Sequence, residues 1–363
     1  MKMCFYIHSL GRGGAEHVVA NLAETFCIAG NEVSIITAES REKEYALDKR
    51  IKRYILTQHS TKHRLLRNLQ ELFLLRQCLN KVKPDVLIAL MSNANIQAIL
   101  SRFLSFRQHK MKVIISVRNV PQYEYYGRLL SFLAKKLLPK ADGCVFQTPE
   151  AQQWFSPTLQ KKSVIIYNPV HKDFYTKTCN IESNSIITCG RLVIQKRQSL
   201  LISAFAFVVK RYPDCKLYIY GDGDLRQDLQ KQIDALHLSE SAFMLGCTDN
   251  VAAALSKSEI FVLSSDFEGM PNALMEAMAV GLPCISTDCP CGGPRALLED
   301  GKNGILVPVG DAQAMAQAII TLLDNPELRE TYSKNAKAAA GNFTQEKIYE
   351  QWMSYINEIL EKN

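Results

Sequence analysis

The sequence predicts an α/β protein built from two doubly wound parallel sheets. Short apolar runs alternate with segments whose apolar residues recur at helical spacing, and the alternation continues through both halves of the chain. Polar residues or glycines follow most of the runs, at the sheet edge where ligands bind. A turn at Asn168–Val170 and a mostly polar stretch separate the halves. We therefore expect Rossmann-like domains over residues 1–170 and 171–343 that face each other across a cleft, and a C-terminal helix over 344–363 that crosses back to the first domain.

The first half contains six apolar runs that we predict as buried strands. The N-terminal run leads directly into a Gly-rich turn and is expected to be a strand, because a secretory signal needs a longer apolar core and a cleavage site. A helix over Ala15–Ala29, apolar on one face, follows that turn. The predicted strands are Met3–Ile7, Asn31–Thr37, Asp85–Met91, Lys112–Val117, Ala141–Phe146 and Val164–Tyr167.

The turn after the first strand has the glycines of an anion-binding loop but not those of a dinucleotide fingerprint. Gly11 and Gly13 fit the G-x-G-x-x-G pattern, whereas Glu16 stands where the third glycine belongs. The Lys-Ser/Thr pair of a P-loop is also missing. The turn therefore disfavours an NAD site, although its backbone can still approach a ligand closely.

Positive charge is concentrated in the first half. Residues 1–170 carry 25 Lys and Arg and 12 Asp and Glu, whereas the remainder carries 18 and 24. The net charge is therefore +13 for the first part and −6 for the second. Within Lys49–Lys83 there are ten basic residues and a single acid, Glu71, and leucines recur at helical spacing. Such a helix either meets an anionic membrane or turns its leucines to the core and its basic face to water. Lys135 and Lys136 are further candidates for membrane contact, and no nucleic-acid-binding module accompanies the charge.

The second half repeats the alternation of strands and helices. Its last three helices are predicted at 312–323, 326–340 and 344–360, after one at about 198–210. The predicted strands are Ser185–Cys189, Lys216–Tyr220, Ala242–Leu245, Ile260–Leu263, Pro283–Thr287 and Gly304–Val307.

The stretch Ser264–Gly281 is the strongest candidate for a ligand site. It predicts a loop and then a helix that begins near Pro271 and stops at Gly281. The amide groups and dipole at the start of that helix would attract a phosphate. Glu268 in the loop and Glu276 in the helix are acceptors for hydroxyl groups, so the stretch suits a sugar nucleotide. Taken alone, the same carboxylates fit a turn residue and a solvated helix residue equally well.

Two cations precede this stretch in a similar position. Arg191 follows the first strand of the second half, and Lys196 lies five residues further on, before a helix. Arg binds a diphosphate through paired hydrogen bonds, and Lys adds a point charge. An ordinary basic turn is the alternative, because Arg197 follows directly. If the cations face the two glutamates across one sheet edge, a diphosphate site is the better interpretation.

Composition limits the class of protein. Hydrophobic residues make up 47% and charged residues 22% of the 363, which is typical of a soluble globular protein of two domains. No apolar run is long enough to span a membrane. Eleven scattered cysteines, several within apolar strands, are typical of free thiols in a reducing cytosol. Cys289 and Cys291 lack the spacing of a zinc or redox motif and are expected to be structural.

Several motifs follow one another in a characteristic order. They resemble those of the retaining family 4 glycosyltransferases of the GT-B fold, of the bacterial capsule, O-antigen and lipopolysaccharide type. The resemblance is strong over residues 186–310 and weaker over 1–170. The motifs are Gly190-Arg-Leu-x-x-x-Lys196, Gly221-Asp-Gly, Phe267-Glu-Gly-Met-Pro-x-x-Leu-Met-Glu276-Ala, Thr287-Asp-Cys-Pro290 and Gly301-x-Asn-Gly-x-Leu-Val-Pro308, with Gly13-Gly14-Ala-Glu16, Ser116-x-Arg-Asn119 and Tyr167-Asn-Pro-Val170 in the first half.

The resemblance implies roles for individual residues. Arg191 and Lys196 would bind the donor diphosphate and neutralise the leaving nucleotide. Glu276 would hold the ribose hydroxyls, and Glu268 would lie near the transferred sugar as a catalytic residue. The other residues expected at the donor are Gly13 and Gly14 from the first domain, and Gly269, Met270, Pro271 and Asn272 from the second.

The chain departs from the family pattern at two positions. Many relatives carry a His near the reacting centre where this chain has Arg118 followed by Asn119, as in a capsule and lipopolysaccharide subgroup. Arg118 is therefore the predicted catalytic residue of the first domain, and no general base is assigned. Ala296 stands where the family often has Glu, which removes an acidic contact from that loop.

The function implied by the resemblance is transfer of a hexose or N-acetylhexosamine from a nucleotide sugar to a saccharide hydroxyl, with retention. UDP is expected on family prevalence, and neither a metal nor another cofactor is expected, because fixed cations and helix amides stabilise the departing diphosphate. The predicted partners are the nucleotide sugar, a lipid-diphosphate-linked saccharide acceptor in surface polysaccharide synthesis, and an anionic membrane that binds the basic first domain. We expect no nucleic acid, and a cytoplasmic location at the inner face of the cytoplasmic membrane.

Three other functions remain open on the sequence. A UDP-sugar 2-epimerase would release epimerised or free sugar without an acceptor. A non-catalytic nucleotide-sugar sensor would bind a donor without turnover. An NAD enzyme would bind NAD and not UDP, against the broken glycine pattern.

Overall fold

The structure, a computed structural model, describes residues 1–11, 13–57, 64–103, 111–176 and 182–362. The chain forms two compact units, Met1–Pro169 with Gln345–Asn363, and Val170–Thr344. Within the described ranges, the first unit contains a seven-stranded sheet and the second a six-stranded sheet, and all neighbouring strands are parallel. The predicted pair of doubly wound α/β domains is confirmed.

Strands and helices alternate through both units. The first unit has strands β1 Lys2–Ile7, β2 Glu32–Thr37, β3 Lys52–Ile55, β4 Val86–Leu90, β5 Lys112–Ser116, β6 Gly143–Phe146 and β7 Ser163–Ile165. Its helices are α1 Gly14–Ile28, α2 Arg64–Val82, α3 Ser92–Phe103, α4 Pro121–Glu124, α5 Arg128–Leu137, α6 Pro149–Gln153 and α7 Pro157–Gln160. The second unit has strands β8 Ser185–Cys189, β9 Lys216–Tyr220, β10 Ala242–Gly246, β11 Ile260–Leu263, β12 Cys284–Thr287 and β13 Ile305–Val307. Its helices are α8 Asp173–Thr176, α9 Gln198–Arg211, α10 Arg226–Ala235, α11 Val251–Leu255, α12 Asn272–Val280, α13 Gly293–Leu298, α14 Ala312–Asp324 and α15 Pro326–Ala340, and helix α16 Gln345–Glu361 returns to the first unit.

Both sheets are wound in the same way. Their strand orders are β3-β2-β1-β4-β5-β6-β7 and β10-β9-β8-β11-β12-β13. In each sheet the chain first moves outward from the first strand and then crosses back to build the other side. The loops after β1 and β4, and those after β8 and β11, therefore diverge, and a crevice opens there at the carboxyl ends of the strands. This topology places the glycine turn beside one switch point and the two cations beside the other.

The handedness of the crossovers distributes the helices of the first unit over two faces. The connections through α2, α3 and α5 all move toward β7, whereas the connection through α1 moves the other way. Since parallel crossovers are right-handed, α2, α3 and α5 lie on one face and α1 on the opposite face. Helices α2 and α5 both pack against α3, and α16 packs against α1.

Strands in the middle of each sheet are nearly continuous apolar runs because both of their faces are covered. All five residues of β4, and all four of β11, are buried. The core of the first unit contains Phe5, Phe26 and Trp352, all of which are fully buried. Burial of each such side chain contributes about 1.5–3 kcal/mol.

Helix α16 is part of the core of the first unit. Its residues Ile348, Trp352 and Ile356 are fully buried in that core. The backbone amide of Cys144 on β6 donates a hydrogen bond of 2.8 Å to the Tyr355 hydroxyl. A β-carbon at Gly143 would lie 2.4 Å from that hydroxyl oxygen, so this strand needs glycine for the helix to approach. The C-terminal segment therefore completes the first unit.

Two local predictions differ from the structure. The short edge strand β3 was not predicted, because its sequence Lys-Arg-Tyr-Ile lies within the basic region and is only partly buried. Pro271 caps α12 with φ −76° and ψ 107°, one residue before the helix, whereas Gly281 ends it at φ +93° as predicted.

The leucines of the basic region divide between two directions. Leu75 and Leu79 are buried, whereas Leu66, Leu69 and Phe73 are exposed. Part of the predicted segment Lys49–Lys83, residues 58–63, lies outside the described residues, as do 177–181 of the polar stretch after the turn. In the part of the chain that the structure describes, no helix is long and apolar enough to cross a bilayer. The ten cysteines described are free thiols.

Candidate functional site

The predicted cations and the loop glutamate meet at the switch point of the second sheet. Arg191 and Lys196 follow β8, and Glu268 follows the neighbouring strand β11. Gly221, after β9, has φ +134°, and a β-carbon there would lie 1.8 Å from the carbonyl oxygen of Gly190. Glycine is thus required where the loops after β8 and β9 cross.

Lys196 and Glu268 form a buried ion pair. Lys196 Nζ lies 2.5 Å from Glu268 Oε1, with side chains 18% and 7% exposed. The Ser265 hydroxyl donates to the same carboxylate oxygen over 2.6 Å. A buried carboxylate needs such donors because it has lost its water. The ammonium group of Lys196 has three donors, so it can hold Glu268 and still donate to a ligand.

The loop that carries Glu268 is fixed by its two neighbours. On one side, Gln195 Nε2 donates to the carbonyl oxygen of Phe267 over 2.9 Å, and the amide of Asp266 donates to the Gln195 carbonyl over 2.9 Å. On the other side, the amide of Glu268 donates to the Pro290 carbonyl over 2.8 Å, and the amide of Cys291 donates to the Glu268 carbonyl over 3.0 Å. The loop of Glu268 is therefore held by hydrogen bonds with the loops after both β8 and β12.

Glu276 is a partly buried carboxyl one turn inside α12. Burial raises its pKa to about 7. Burial also raises the pKa of the Cys189 thiol at the end of β8, and the negative charge of Glu276 raises it further. Helix α12 follows β11, and β11 is the neighbour of β8, the strand that ends at Cys189. The residues Gly269, Met270, Pro271 and Asn272 connect Glu268 to this helix.

Arg191 is exposed, unlike Lys196. Its carbonyl accepts a 2.9 Å hydrogen bond from Gln198 Nε2 at the start of α9, which holds the backbone of the loop. The Lys196 side chain passes within 3.8 Å of a β-carbon placed at Gly190. The two cations thus lie beside the same short segment, one solvated and one paired.

In the first unit, the glycine turn lies at the start of α1. Gly13 caps that helix, and a β-carbon there would be 2.2 Å from Glu16 Oε2. The carboxylate of Glu16 thus lies at the positive end of its own helix, where negative charge is stabilised. The glycine predicted for close approach of a ligand leaves room, in this structure, for Glu16. Gly14 is the first helical residue.

Arg118 lies after β5 and is buried in the first unit. Its Nη1 donates to Asn168 Oδ1 over 2.7 Å, and its guanidinium carbon lies 5.9 Å from the centre of the Trp352 ring. Burial lowers the pKa of Arg118 to about 10. Nε and Nη2 have no hydrogen-bond partner among the described residues. Two nitrogens of this predicted site residue, with three N–H donors between them, are thus unpaired among the described residues.

Glu124, which the sequence analysis missed, binds the loop of the predicted site residue Arg118. Its Oε2 accepts hydrogen bonds from the backbone amides of Arg118, at 3.1 Å, and Asn119, at 2.9 Å. Burial raises its pKa to about 7. The carboxyl fixes the loop that carries Arg118. The only signal in the sequence is that Glu124 is the sole acid between Asn119 and Ala141.

The structure thus brings one predicted pair into direct contact and groups the others by unit. Lys196 and Glu268 are bonded to each other, and Arg191 and Glu276 flank them in the second unit. Gly13, Gly14 and Arg118 follow β1 and β5 of the first. Among the described residues, no group of three or more His, Cys, Asp or Glu is arranged to hold a metal ion.

Comparison with known families gives two adjoining matches. The family described as Glycosyltransferase Family 4 matches residues 12–174, and that described as Glycosyl transferases group 1 matches residues 174–339. The matches meet close to the division between the two units.

Curated relatives align over nearly the whole chain. A Campylobacter jejuni alpha-1,4-N-acetyl-D-galactosaminyltransferase, named for a saccharide on PP-undecaprenol, is 28% identical over 365 residues, 99% of this chain and 99% of its own. An uncharacterised glycosyltransferase of Methanocaldococcus jannaschii is 30% identical over 339 residues, 79% of this chain and 83% of its own. Among solved structures, Anabaena HepE in complex with UDP has a TM-score of 0.81 at 19% identity and covers 99% of this chain and 100% of that chain. The last similarity shows the shared fold.

Proposed function

This chain belongs to the glycosyltransferases of family 4 and group 1, and we propose that it transfers a hexose or N-acetylhexosamine from a UDP-sugar to a saccharide hydroxyl. The observation that carries the proposal is the Lys196–Glu268 pair at the switch point of the second sheet, with Arg191 beside it. Nucleotides bind at this point of doubly wound sheets. A fixed ammonium and a guanidinium there would stabilise the charge that grows on a departing diphosphate.

Each remaining site residue has a proposed role consistent with its surroundings. At the start of α12, the amide groups of Gly269, Met270 and Asn272 would donate hydrogen bonds to oxygens of the nucleotide sugar, and Pro271 would shape the turn. Glu276 would accept hydrogen bonds from the ribose, and Glu268, oriented by Lys196, would contact the transferred sugar. Gly13 and Gly14 stay predicted donor contacts. Arg118 stays a predicted catalytic residue. The support is that its Nε and Nη2 have no hydrogen-bond partner among the residues that the structure describes.

We propose a lipid-diphosphate-linked saccharide as the acceptor. Two Campylobacter jejuni relatives, each 28% identical over nearly the whole chain, are named for transfer to saccharides on diphospho-undecaprenol. Such an acceptor lies in a bilayer, and the net charge of +13 on residues 1–170 suits an anionic one. The proposal therefore includes peripheral attachment to the inner face of the cytoplasmic membrane, in surface polysaccharide synthesis.

We further propose that transfer retains the anomeric configuration and needs no metal. The support for metal independence is positive: Lys196, Arg191 and the start of α12 already provide cations and amides for a diphosphate. Transfer is thus expected to continue in EDTA, and NMR of the product is expected to show the donor's anomeric configuration. If EDTA abolished transfer and Mg²⁺ restored it, metal independence would be wrong, whereas the proposal of retention would be unaffected.

The test is a screen of sugar nucleotides with the purified full chain. UDP and one UDP-sugar are expected to raise the melting temperature, and that sugar should be transferred to an undecaprenyl-diphosphate-linked oligosaccharide. A product of epimerised or free sugar without acceptor would favour the epimerase function. Donor binding without turnover on any lipid-linked acceptor would favour the sensor.

A further inference from the structure

Two helices of the first unit expose an unusual number of large apolar side chains. On α5 and the turn before it, Tyr126 is 81%, Leu129 71% and Phe132 59% exposed. On α2, the exposed residues Leu66, Leu69 and Phe73 follow one another at spacings of three and four and form one stripe, here called the outer stripe of α2. Apolar groups gathered in this way mark a surface that binds something.

The two helices belong to one layer. Both pack against α3, and none of residues 92–102 of α3 is exposed. Because the crossovers place α2, α3 and α5 on the same face of the sheet and both outer helices pack against α3, α2 and α5 flank α3 in that layer. Their apolar residues are therefore presented on the same side of the first unit.

The charged residues of this surface are all basic. Glu71 is the only acid in Arg64–Val82, and it is 3% exposed and accepts a 2.9 Å hydrogen bond from Gln97. Glu124 is the only acid between Asn119 and Ala141, and it too is buried. The exposed charges beside Leu129 and Phe132 are Arg128, Lys135, Lys136 and Lys140. Helix α5 contains no acid, and the nearest one before it, Glu124 on α4, is buried, as is the single acid of α2. Apolar and positive groups are therefore what these two helices expose.

We propose that α5, with the outer stripe of α2, is a membrane-inserting surface that enters an anionic phospholipid bilayer. Leu129, Phe132 and the outer stripe of α2 enter the acyl-chain boundary, while the flanking Lys and Arg bind lipid phosphates. Tyr126 suits the headgroup level, where amphipathic rings are stable. The charge pattern selects a bilayer over a second copy of this chain, because two such basic faces would repel each other. The inference rests on the proposed function and adds insertion to it, since charge alone would hold the protein at the surface only.

The first experiment measures binding to vesicles of phosphatidylcholine with phosphatidylglycerol. The double variant Leu129→Ser/Phe132→Ser is expected to bind at least about tenfold more weakly than the wild type, because each buried apolar side chain adds to the partition. The matched control is Phe207→Ser on α9 of the second unit, an exposed ring with Lys210 5.4 Å from its centre. Binding of the double variant equal to that of the wild type would overturn the proposal.

The second experiment measures depth. Tryptophan emission of Phe132→Trp is expected to be quenched by lipids brominated in their acyl chains, and that of Phe207→Trp is not, after subtraction of the native Trp154 and Trp352. Equal emission from Phe132→Trp with and without brominated lipid would show that the helix stays above the acyl chains, against insertion. The proposal also fails if the wild type is a dimer, the double variant is a monomer and neither protein binds vesicles. The surface would then be an interface between two copies of the chain.

The donor site provides an independent readout. The double variant is expected to keep the melting-temperature increase with UDP, because its substitutions lie in the other unit from Lys196 and Glu268. If the wild type bound vesicles but UDP had no effect on its melting temperature, the proposed function would be wrong and membrane insertion would be supported. If it transferred sugar but did not bind vesicles, membrane insertion would be wrong and the proposed function would be supported.

Discussion

At the scale of single residues, two adjacent cations have different surroundings. Lys196 is 18% exposed and paired with Glu268, whereas Arg197 is 46% exposed and pairs with Asp266 at 3.1 Å. An exposed pair of this kind contributes about 0–1 kcal/mol to stability. A buried pair depends on both partners, because removal of one leaves an uncompensated charge. The two neighbouring cations therefore differ in burial and pairing, and only Lys196 has the surroundings expected of the proposed diphosphate site.

Lys196→Met is expected to lower turnover by roughly 10²–10³-fold, because it removes a cation from the departing diphosphate. Arg197→Met is the matched control and should leave turnover nearly unchanged. The measurement is kcat with the donor found in the screen, together with thermal unfolding. Lower stability with unchanged kcat would show that the pair is structural, as the alternative interpretation of these residues holds.

Glu276 predicts a pH dependence with a definite sign. Burial raises the pKa of Glu276 in the folded protein from 4.5 to about 7. Between these pH values the native state therefore holds a proton that the unfolded chain has released. This contribution to stability is fully present below about pH 4.5 and is lost as the pH rises to about 7. Glu276→Gln is therefore expected to be more stable than the wild type at about pH 8, by up to about 3 kcal/mol, and little different at about pH 4.5. Chemical denaturation at both pH values measures this.

The same carboxyl should affect nucleotide affinity in the opposite direction. If ionised Glu276 accepts hydrogen bonds from a ribose, wild-type affinity for UDP rises between about pH 6 and 8, and the Gln variant loses the trend. A variant that binds UDP as tightly as the wild type at high pH would contradict the assigned role.

At the scale of elements, the loops after β11 and β12 form one unit of structure. A β-carbon at Gly293, the first residue of α13, would lie 1.8 Å from the carbonyl oxygen of Gly269 and 3.2 Å from Pro271 Cδ. The start of α13 is thus packed directly on the loop that leads into α12. The hydrogen bonds between Glu268 and residues 290 and 291 close the same contact.

Gly293→Ala is expected to displace the Gly269–Met270 backbone, because the carbonyl that it meets cannot rotate away. Such overpacking costs about 1–3 kcal/mol, so both the melting temperature and the affinity for UDP should fall. The control is Gly341→Ala at the end of α15, where φ is −55° and the nearest atom to a β-carbon is the Ala338 oxygen at 3.1 Å. UDP affinity equal to that of the wild type in Gly293→Ala would show that this contact does not position the donor loop.

At the scale of the whole molecule, the last helix belongs with the first half of the sequence. Helix α16 supplies Trp352 to the core that also contains Phe5 and Phe26. The first unit therefore needs α16 in addition to Met1–Pro169, whereas the second unit is continuous from Val170 to Thr344. A substitution in α16 should thus act on strands far away in sequence and leave the nearer second unit unchanged.

Trp352→Ala is expected to cost about 3–5 kcal/mol in the first unit, as for a fully buried aromatic residue. Hydrogen exchange should speed up in β1 and β4 and stay unchanged in β11. The chain's other tryptophan, the partly buried Trp154, is the control, and its Ala variant should cost less. Equal loss of protection in β11 would contradict the assignment of α16 to the first unit.

Much of the secondary structure was predictable because it depends on local pattern. The strands Ser185–Cys189, Lys216–Tyr220 and Ile260–Leu263 have the predicted bounds. Ile260–Leu263 is a continuous apolar run because both of its faces are buried. Strand β3 was missed because an edge strand lacks that run. The motif residues after β8 and β11 were also found locally, because ligand loops of parallel sheets follow strand ends.

The sequence by itself determined the alternation of strands and helices, the two-domain α/β class, the charge division and the glycosyltransferase motifs. Only the tertiary structure decided that Lys196 bonds to Glu268, that Gly293 packs on the loop leading into α12, that Glu124 holds the turn of Arg118, and that Leu66, Leu69 and Phe73 point outward. The physical reason is range: periodicity records which face of an element is apolar on average. Which side chains meet depends on how separate elements pack, and local pattern does not contain that information.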